Sequence, residues 1–459
     1  MHHYRFFTIW MIMIFMISCQ EETINNPPNI ILILTDDQGS VDAGCYGASD
    51  LLTPHIDQLA ATGTRFSQFY VGSAVCSPSR AALMTGMTPQ GAGLTGNASS
   101  MHGQPGMQTD RVTIAEMLKK AGYSTAHIGK WHLGYSEETM PLAQGFDYSF
   151  GHMGGCIDNY SHFFYWNGPN RHDLWENGKM VYAEGQYFPD MMVAKARSFI
   201  QDHQQKPFFM YLAFNTPHYP LQPTQKWRTH YDTLPMPRRD YAAFVSTTDE
   251  RIGQIVETIE KKELREHTII IYLSDHGHSY EVRTFGGGGS AGPFRGGKTS
   301  LFEGGIRVPA IISWRGHLPE GKVSSIPVMS MDLLPTIAEL CGISNLPKGI
   351  EGKSLVKTIH HNTSPGHGLM FWQLGKQWAV REGDWKLIGN PVDPSDRYSL
   401  DAEKDGLFLS NLKVDSTESV NLVTQHPEKV DHLLRAYMDW EYGNVQYVPA
   451  WFGAVTGEK

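Results

Sequence analysis

The segment VGSAVCSPSRAALMTG, residues Val71 to Gly86, puts a cysteine where a helix begins. Pro78 is tolerated in a first helical turn, and Ala81, Ala82 and Leu83 continue the helical pattern. A helix N-terminus favours anions and lowers a thiol's pKa. Cys76 therefore reads as a reactive group rather than as the small buried apolar residue that a lone cysteine usually is. Two further pairs lie far from it in sequence: Asp36 with Asp37, and Asp275 with His276. Clustered carboxylates suit a hard divalent cation such as calcium or magnesium, whereas zinc prefers histidine and cysteine. Arg80, Lys130, Lys298, His132 and His218 add cations and proton carriers. Groups of that kind stabilise charge on a transferring oxyanion and protonate a leaving oxygen.

These residues share one kind of position. NIILILTDD (Asn29 to Asp37) predicts a buried strand that ends in two carboxylates. YSTAHIGKWHLG (Tyr123 to Gly134) predicts a strand ending at Lys130 and His132, and FFMYLAFNTPH (Phe208 to His218) one ending at His218. TIIIYLSDHG (Thr268 to Gly277) ends in Asp275 and His276, and VPAIISW (Val308 to Trp314) is a fifth strand. Helical patterns lie between them. VTIAEMLKKAG opens on a capping box, Thr113 with Glu116, and stops at Gly122. Tyr241 to Lys262 carries apolar residues at helical spacing. The alternation predicts an α/β fold with a largely parallel sheet, whose C-terminal strand edge is where such sheets bind ligands.

The glycine-rich stretch FGGGGSAGPFRGGKTSLFEGGIRVP satisfies a phosphate-loop pattern from Gly292 to Thr299. It lacks the strand before and the long helix after that such a loop needs, so its expected role is to deliver Lys298 beside a ligand. CIDNYSHFFYWNGPNRHDLWENG (Cys156 to Gly178) is dense in aromatic rings that suit sugar faces, with Arg171 and His172 in a turn-like setting. From Gly366 onward, short strands followed by a helix through EKVDHLLRAYMDW predict a smaller antiparallel unit.

The composition, 41% hydrophobic and 19% charged, supports an ordinary globular core. A net charge of -9 gives no general affinity for nucleic acid. The chain starts with a short apolar run, Phe6 to Ile17, followed by Ser18 and Cys19, like a bacterial lipoprotein signal with Cys19 as the lipidated residue. That predicts an exported chain, periplasmic or on the outer membrane of a Gram-negative bacterium and open to surface display, touching membrane only through its lipid. Residues 1–18 read as signal, 19–28 as tether, 29–365 as catalytic domain and 366–459 as C-terminal subdomain. The four remaining cysteines are too scattered for a disulfide scaffold.

Cys76-Ser77-Pro78-Ser79-Arg80, followed by Leu83, Thr85 and Gly86, resembles the type I sulfatase signature C-x-P-S-R-x-x-L-x-T-G. TPHIDQLAATGTRF (Thr53 to Phe66), GKWHLG (Gly129 to Gly134), TPH (Thr216 to His218) and SDHG (Ser274 to Gly277) resemble further blocks of that family in order. The resemblance implies the alkaline phosphatase fold: a mixed central sheet between helices, with a small C-terminal antiparallel sheet-plus-helix unit. It also implies that a maturation enzyme oxidises Cys76 to Cα-formylglycine, whose hydrate attacks the sulfur of a sulfate ester. The sulfated diol then collapses and expels sulfate.

By matching positions, Asp36, Asp37, Asp275 and His276, with the modified Cys76, resemble the calcium ligands. Arg80 resembles the residue that holds the hydrate, and Lys130 the one that binds sulfate oxygens. His132 resembles the base for the collapse, and His218 with Lys298 the acid side. The implied partner is a sulfated glycan, with galactose or N-acetylgalactosamine sulfate preferred, and Arg171, His172 and His278 are the expected sugar contacts. The rival readings are a phosphodiester or phosphonate hydrolase on the same fold, and a catalytically dead glycan-binding lipoprotein.

Overall fold

The computed structural model describes residues 27–166, 168–401 and 405–444. The expected signal segment and the lipidation site at Cys19 lie outside the described residues, as does the end of the chain from 445 onward. Seven main strands build the large sheet: β1 (Asn29–Asp36), β2 (Thr64–Tyr70), β3 (Ser124–Lys130), β4 (Tyr148–His152), β5 (Phe208–Pro217), β6 (Thr268–Ser274) and β7 (Arg307–Ser313). Their spatial order is β2-β7-β6-β1-β5-β3-β4, and short strands extend both edges. The five strands from β6 to β4 are parallel, while β7 runs antiparallel to β6 and to β2. The sheet is therefore mixed, as expected. β2 and β4 were not expected from the sequence.

Helices cover both faces of the sheet. The main ones are α1 (Pro54–Ala61), α2 (Cys76–Thr85), α3 (Ile114–Lys120), α4 (Phe188–Asp202), α5 (Arg238–Lys261) and α6 (Leu333–Leu340). The strand period of two sorts β1 cleanly. Ile30, Leu32 and Leu34 pack with α2, α3 and α6, whereas Ile31 and Ile33 pack with α1, α4 and α5. The capping box forms as read: Thr113 Oγ1 accepts from Glu116 N at 3.1 Å, and Glu116 Oε2 accepts from Thr113 N at 2.7 Å.

The C-terminal unit is a four-stranded antiparallel sheet, β8 (Leu369–Leu374), β9 (Gln377–Glu382), β10 (Trp385–Gly389) and β11 (Leu407–Asn411), closed by helix α7 (Pro427–Asn444). The expected boundary at 365 falls in the loop before β8. One face of this sheet meets α7, with Trp378 stacked on Tyr437 at 4.2 Å. Its other face, including Met370, Trp372 and Phe408, is continuous with the main core. Cys45, Cys76, Cys156 and Cys341 are all free thiols.

Candidate active site

Strand register assembles the site. Thr35 pairs with Ser274, so the residues just past them, Asp36 and Asp275, leave the sheet side by side. A register shift after Leu34 sets Asp36 opposite Pro217 and brings His218 to the same edge. Lys130 is the last residue of β3, one strand further along. Asp37 and His132 both take left-handed backbone angles, φ 62° and 57°. That conformation is costly for non-glycine residues and is concentrated at functional sites.

The head of α2 enters this edge from above. Cys76 is its first residue, and Ser79 Oγ donates to Asp275 O at 2.5 Å. The glycine-rich loop arrives last: Lys298 N donates to His278 O and Thr299 N to Ala74 O, both at 2.8 Å. No long helix follows, in keeping with a loop that delivers Lys298. Gly277 allows the close passage of this loop, since a Cβ there would lie 1.9 Å from Gly304 O.

The side chains then interlock. Cys76 Sγ lies 3.3 Å from His276 Nε2, 3.3 Å from Lys130 Nζ and 3.8 Å from Asp36 Oδ1. Lys130 Nζ donates to Asp36 Oδ2 at 2.7 Å. Lys298 Nζ spans both oxygens of Asp37, at 2.9 and 3.0 Å, and His218 Nε2 stands 3.7 Å from Asp37 Oδ2. Arg80 binds Asp275 Oδ2 through Nε and Nη2, both at 3.0 Å, and caps the carbonyl of Lys130 at 2.9 Å.

Burial works against ionising Cys76, but Lys130 and Lys298 outweigh it and hold the thiol well below its ordinary range. Burial likewise opposes the Asp36 carboxylate, and Lys130, with Arg80 and Lys298, overcomes it and holds that group low. Burial keeps His132 and His218 below the usual imidazole value, and Lys298 pushes His218 further the same way. For His276 burial is outweighed by Asp275 and Cys76, which push it up to about 9. The result is a buried anionic sulfur ringed by fixed cations, beside two neutral imidazoles.

A family profile described as Sulfatase matches residues 28–343, well over half of the sequence. The chain belongs to the sulfatase family. It is 32% identical over 465 residues to arylsulfatase A of Bos taurus, spanning 92% of this chain and 88% of that protein. It is 33% identical over 381 residues to N-acetylgalactosamine-6-sulfatase of Rattus norvegicus, spanning 78% and 71%. The crystal structure of Ps i-CgsB in complex with k-i-k-neocarrahexaose is similar at a TM-score of 0.81 and 31% identity, covering 93% of this chain and 95% of that one.

Sulfatases use a divalent metal, and the donor set of this sulfatase fits one. Asp36, Asp37, Cys76 and His276 each offer a ligand atom, all within 4.8 Å of one another and all buried. Two adjacent carboxylates suit a hard cation, which would displace the proton held on His276. Asp275 stands one step back from that group. Its Oδ2 is taken by Arg80, and its Oδ1 lies 3.6 Å from His276 Nε2 while accepting from Asp37 N at 3.3 Å.

Above this cluster opens a cleft of about 360 Å³ reached by Cys76, His132, His218 and Lys298. Of the three expected sugar contacts, only Arg171 lines it. Arg171 and His172 are neighbours on a two-residue strand paired with Phe163 and Phe164, so they point to opposite sides. The Arg171 guanidinium lies 4.1 Å from the Phe164 ring centre and its Nε donates to Ser100 O. His172 turns away, with Nε2 2.7 Å from Val181 O and its ring stacked on Tyr182. His278 is 1% exposed beneath the glycine-rich loop, where a Cβ on Gly289 would lie 2.3 Å from its own Cβ. Of the expected sugar contacts, His172 and His278 thus stand outside the lining of this cleft.

The cleft also holds Trp166, Tyr219, Glu281 and the segment Asn97 to Met101, none of which the sequence singled out by position. Trp166 sits inside the aromatic run and Tyr219 directly follows His218, so both had an available signal. Asn97 has none. It acts through Oδ1, which accepts from Ser77 N at 3.0 Å and steadies the head of α2.

Proposed function

We propose that this sulfatase removes sulfate from a sulfated carbohydrate, using formylglycine formed from Cys76 and a bound calcium ion, with magnesium the rival metal. The observation that carries this reading is the placement of Cys76 Sγ at the head of α2, 3.3 Å from Lys130 Nζ, on the floor of a cleft walled by Trp166, Tyr219 and Phe164. An N-acetylgalactosamine-6-sulfatase among the relatives and the oligosaccharide complex of Ps i-CgsB support a sugar substrate, a galactose or N-acetylgalactosamine sulfate first. The sequence around Cys19 supports export as a lipoprotein.

When formed, the aldehyde hydrate supplies the nucleophile for sulfur, and a divalent cation held by Asp36, Asp37 and His276 would polarise a sulfate oxygen. The rest is the work of this chain's own side chains. Lys130 and Lys298 would neutralise the ester's negative charge, and they need no reorganisation because Asp36 and Asp37 already fix them. Arg80 anchors the base of the site through Asp275 and the carbonyl of Lys130. His132 is neutral through burial and free to accept a proton at a ring nitrogen. His218 is neutral before substrate binds; the arriving anion raises its proton affinity, which suits it to protonate the leaving alcohol.

The experiment that tests this reading is a peptide mass followed by a substrate comparison. Trypsin releases Phe66 to Arg80, and its mass distinguishes a thiol at Cys76 from the aldehyde or its hydrate. Matured enzyme is expected to cleave aryl sulfate far faster than aryl phosphodiester, and to lose turnover on Cys76→Ala with the fold intact. A thiol only, in protein from the native host, removes the covalent mechanism. A preference for the diester replaces the sulfatase reading with its nearest rival.

A further inference from the structure

The cleft that gathers cations around the reacting position also contains a carboxylate that the proposed reaction does not use. Glu281 lines it together with Cys76, His218 and Lys298. Its main chain is fixed on both sides: Glu281 N donates to Ser279 Oγ at 3.2 Å, and its carbonyl accepts from Thr284 N at 2.9 Å and Gly286 N at 3.2 Å. Its side chain is 29% exposed, yet Oε2 is buried without a hydrogen-bond donor. Arg283 Nε stands 3.4 Å from that oxygen as a counter-charge. The same guanidinium covers the Trp166 ring at 2.9 Å, and Trp166 in turn stacks on Tyr219 at 4.9 Å. Glu281 is thus held at one end of a stack that runs from Arg283 through two rings to the neighbour of His218.

A carboxylate accepts hydrogen bonds and donates none. Arg283 faces the buried side of the carboxylate, and Glu281 lines the cleft with the part of its side chain that remains exposed. A negative charge is also the wrong sign for a site built only to bind sulfate, so its presence reads as selection against something.

We propose that Glu281 is a specificity-determining residue that reads the alcohol part of the substrate: the exposed part of its carboxylate accepts a hydrogen bond from a free hydroxyl of the sugar bearing the ester, and its charge rejects sugars carrying a second sulfate or a carboxylate there. The inference rests on the carbohydrate reading above. A site that hydrogen-bonds a hydroxyl discriminates steeply against an analogue that cannot supply it, because the acceptor is left unpaired.

The test uses wild type, Glu281→Gln and Glu281→Asp, each shown to be matured at Cys76 by the Phe66 to Arg80 peptide mass. The substrates are 4-nitrophenyl sulfate, monosulfated galactose and N-acetylgalactosamine, and the matching disulfated sugars. Wild type is expected to favour its monosulfated sugar over the disulfated partner by about tenfold or more in kcat/KM. Glu281→Gln narrows that ratio by about tenfold, mainly through KM, and Glu281→Asp preserves it because the charge remains.

A wild type indifferent to the second sulfate overturns the inference, and so does a ratio that Glu281→Gln leaves unchanged. Both outcomes leave the sulfatase reading standing. Hydrolysis of nitrophenyl sulfate with no sugar sulfate overturns the inference together with the carbohydrate reading. Failure on every sulfate ester overturns the proposed function itself.

Discussion

Lys298 Nζ straddles the carboxylate of Asp37, 2.9 Å from one oxygen and 3.0 Å from the other, across 261 residues of sequence. Both side chains are almost fully buried, 8% and 3% exposed. Removing one member of such a pair strands the other charge. Lys298→Met is therefore expected to cost about 3–5 kcal/mol in denaturant unfolding. An unchanged stability would show that Asp37 has another cation to hold it in the folded protein.

The leaving-group side of the site makes a separate prediction. His218 lines the cleft with its Nδ1 tied 2.7 Å from Tyr219 O, which leaves Nε2 facing Asp37 and the cleft. Sugar alcohols are poor leaving groups and need a proton, whereas an aryl oxide does not. His218→Ala should lower turnover of a sugar sulfate by roughly 10²–10⁴-fold and that of 4-nitrophenyl sulfate much less. Equal losses on both substrates would remove His218 from the acid's role.

Metal removal has a readout independent of activity. Asp36, Asp37 and His276 converge from the ends of two neighbouring strands, so a cation there would clamp the sheet edge. Chelation is expected to lower the melting temperature, and calcium at about 100 times its Kd to return about 2.7 kcal/mol. Restoration by magnesium alone would reassign the metal. No shift on chelation would argue that Lys130 and Lys298 already neutralise the cluster.

Much of this site is legible in the sequence because its residues sit at the ends of long apolar strands. Asp36, Lys130, His218 and Asp275 each follow a run whose period and length admit little but a buried strand. Parallel pairing then brings them to one edge. What stayed hidden depends on register and on loops. β2 was missed because only Phe66, Phe69 and Tyr70 mark it as apolar within a polar context. Arg171 and His172 could not be told apart without knowing the face each takes, and Glu281 owes its place to a turn that follows no periodic pattern. The backbone of the glycine-rich loop covers His278, a position no periodic pattern announces.

The C-terminal sheet, expected as a subdomain, is bound to the catalytic part through buried charge as well as apolar surface. Lys386 on β10 reaches across to Glu303 at 2.8 Å, and Glu418 of its own unit, 2.9 Å from Lys386, accepts from Glu303 N at 2.6 Å, all three side chains with no solvent exposure. Trp372 donates from its indole to Val71 O at 2.8 Å, only a few residues before Cys76. A chain ending at 365 should therefore be insoluble or unfolded by circular dichroism, and Lys386→Met should cost about 3–5 kcal/mol. A stable, active truncated enzyme would show the two parts to be independent.

Two buried histidines outside the chemistry, among others, make the fold sensitive to acid. His127 is fully buried in the sheet among Trp131, Phe146 and Tyr211, and burial, aided by Arg80, pulls it down to about 3. His278, buried under the glycine-rich loop, is pulled down to about 4, again by burial first. Both are neutral in the folded protein, while the unfolded chain takes up their protons near 6.5. The unfolded state therefore binds more protons in between, and stability must rise with pH across that interval. It is fully present above 6.5 and is lost as pH falls towards 3 for His127 and 4 for His278. Each histidine costs about 3 kcal/mol by pH 4. Melting temperature against pH, measured on wild type and His127→Gln, checks this directly. Glutamine can keep a partner on Ser149 Oγ, which lies 3.1 Å from His127 Nδ1, but has no proton to gain. The variant's curve should be flatter between pH 7 and 4. Parallel curves would mean that His127 is protonated in the fold, and that the acid sensitivity lies with the carboxylates of the site.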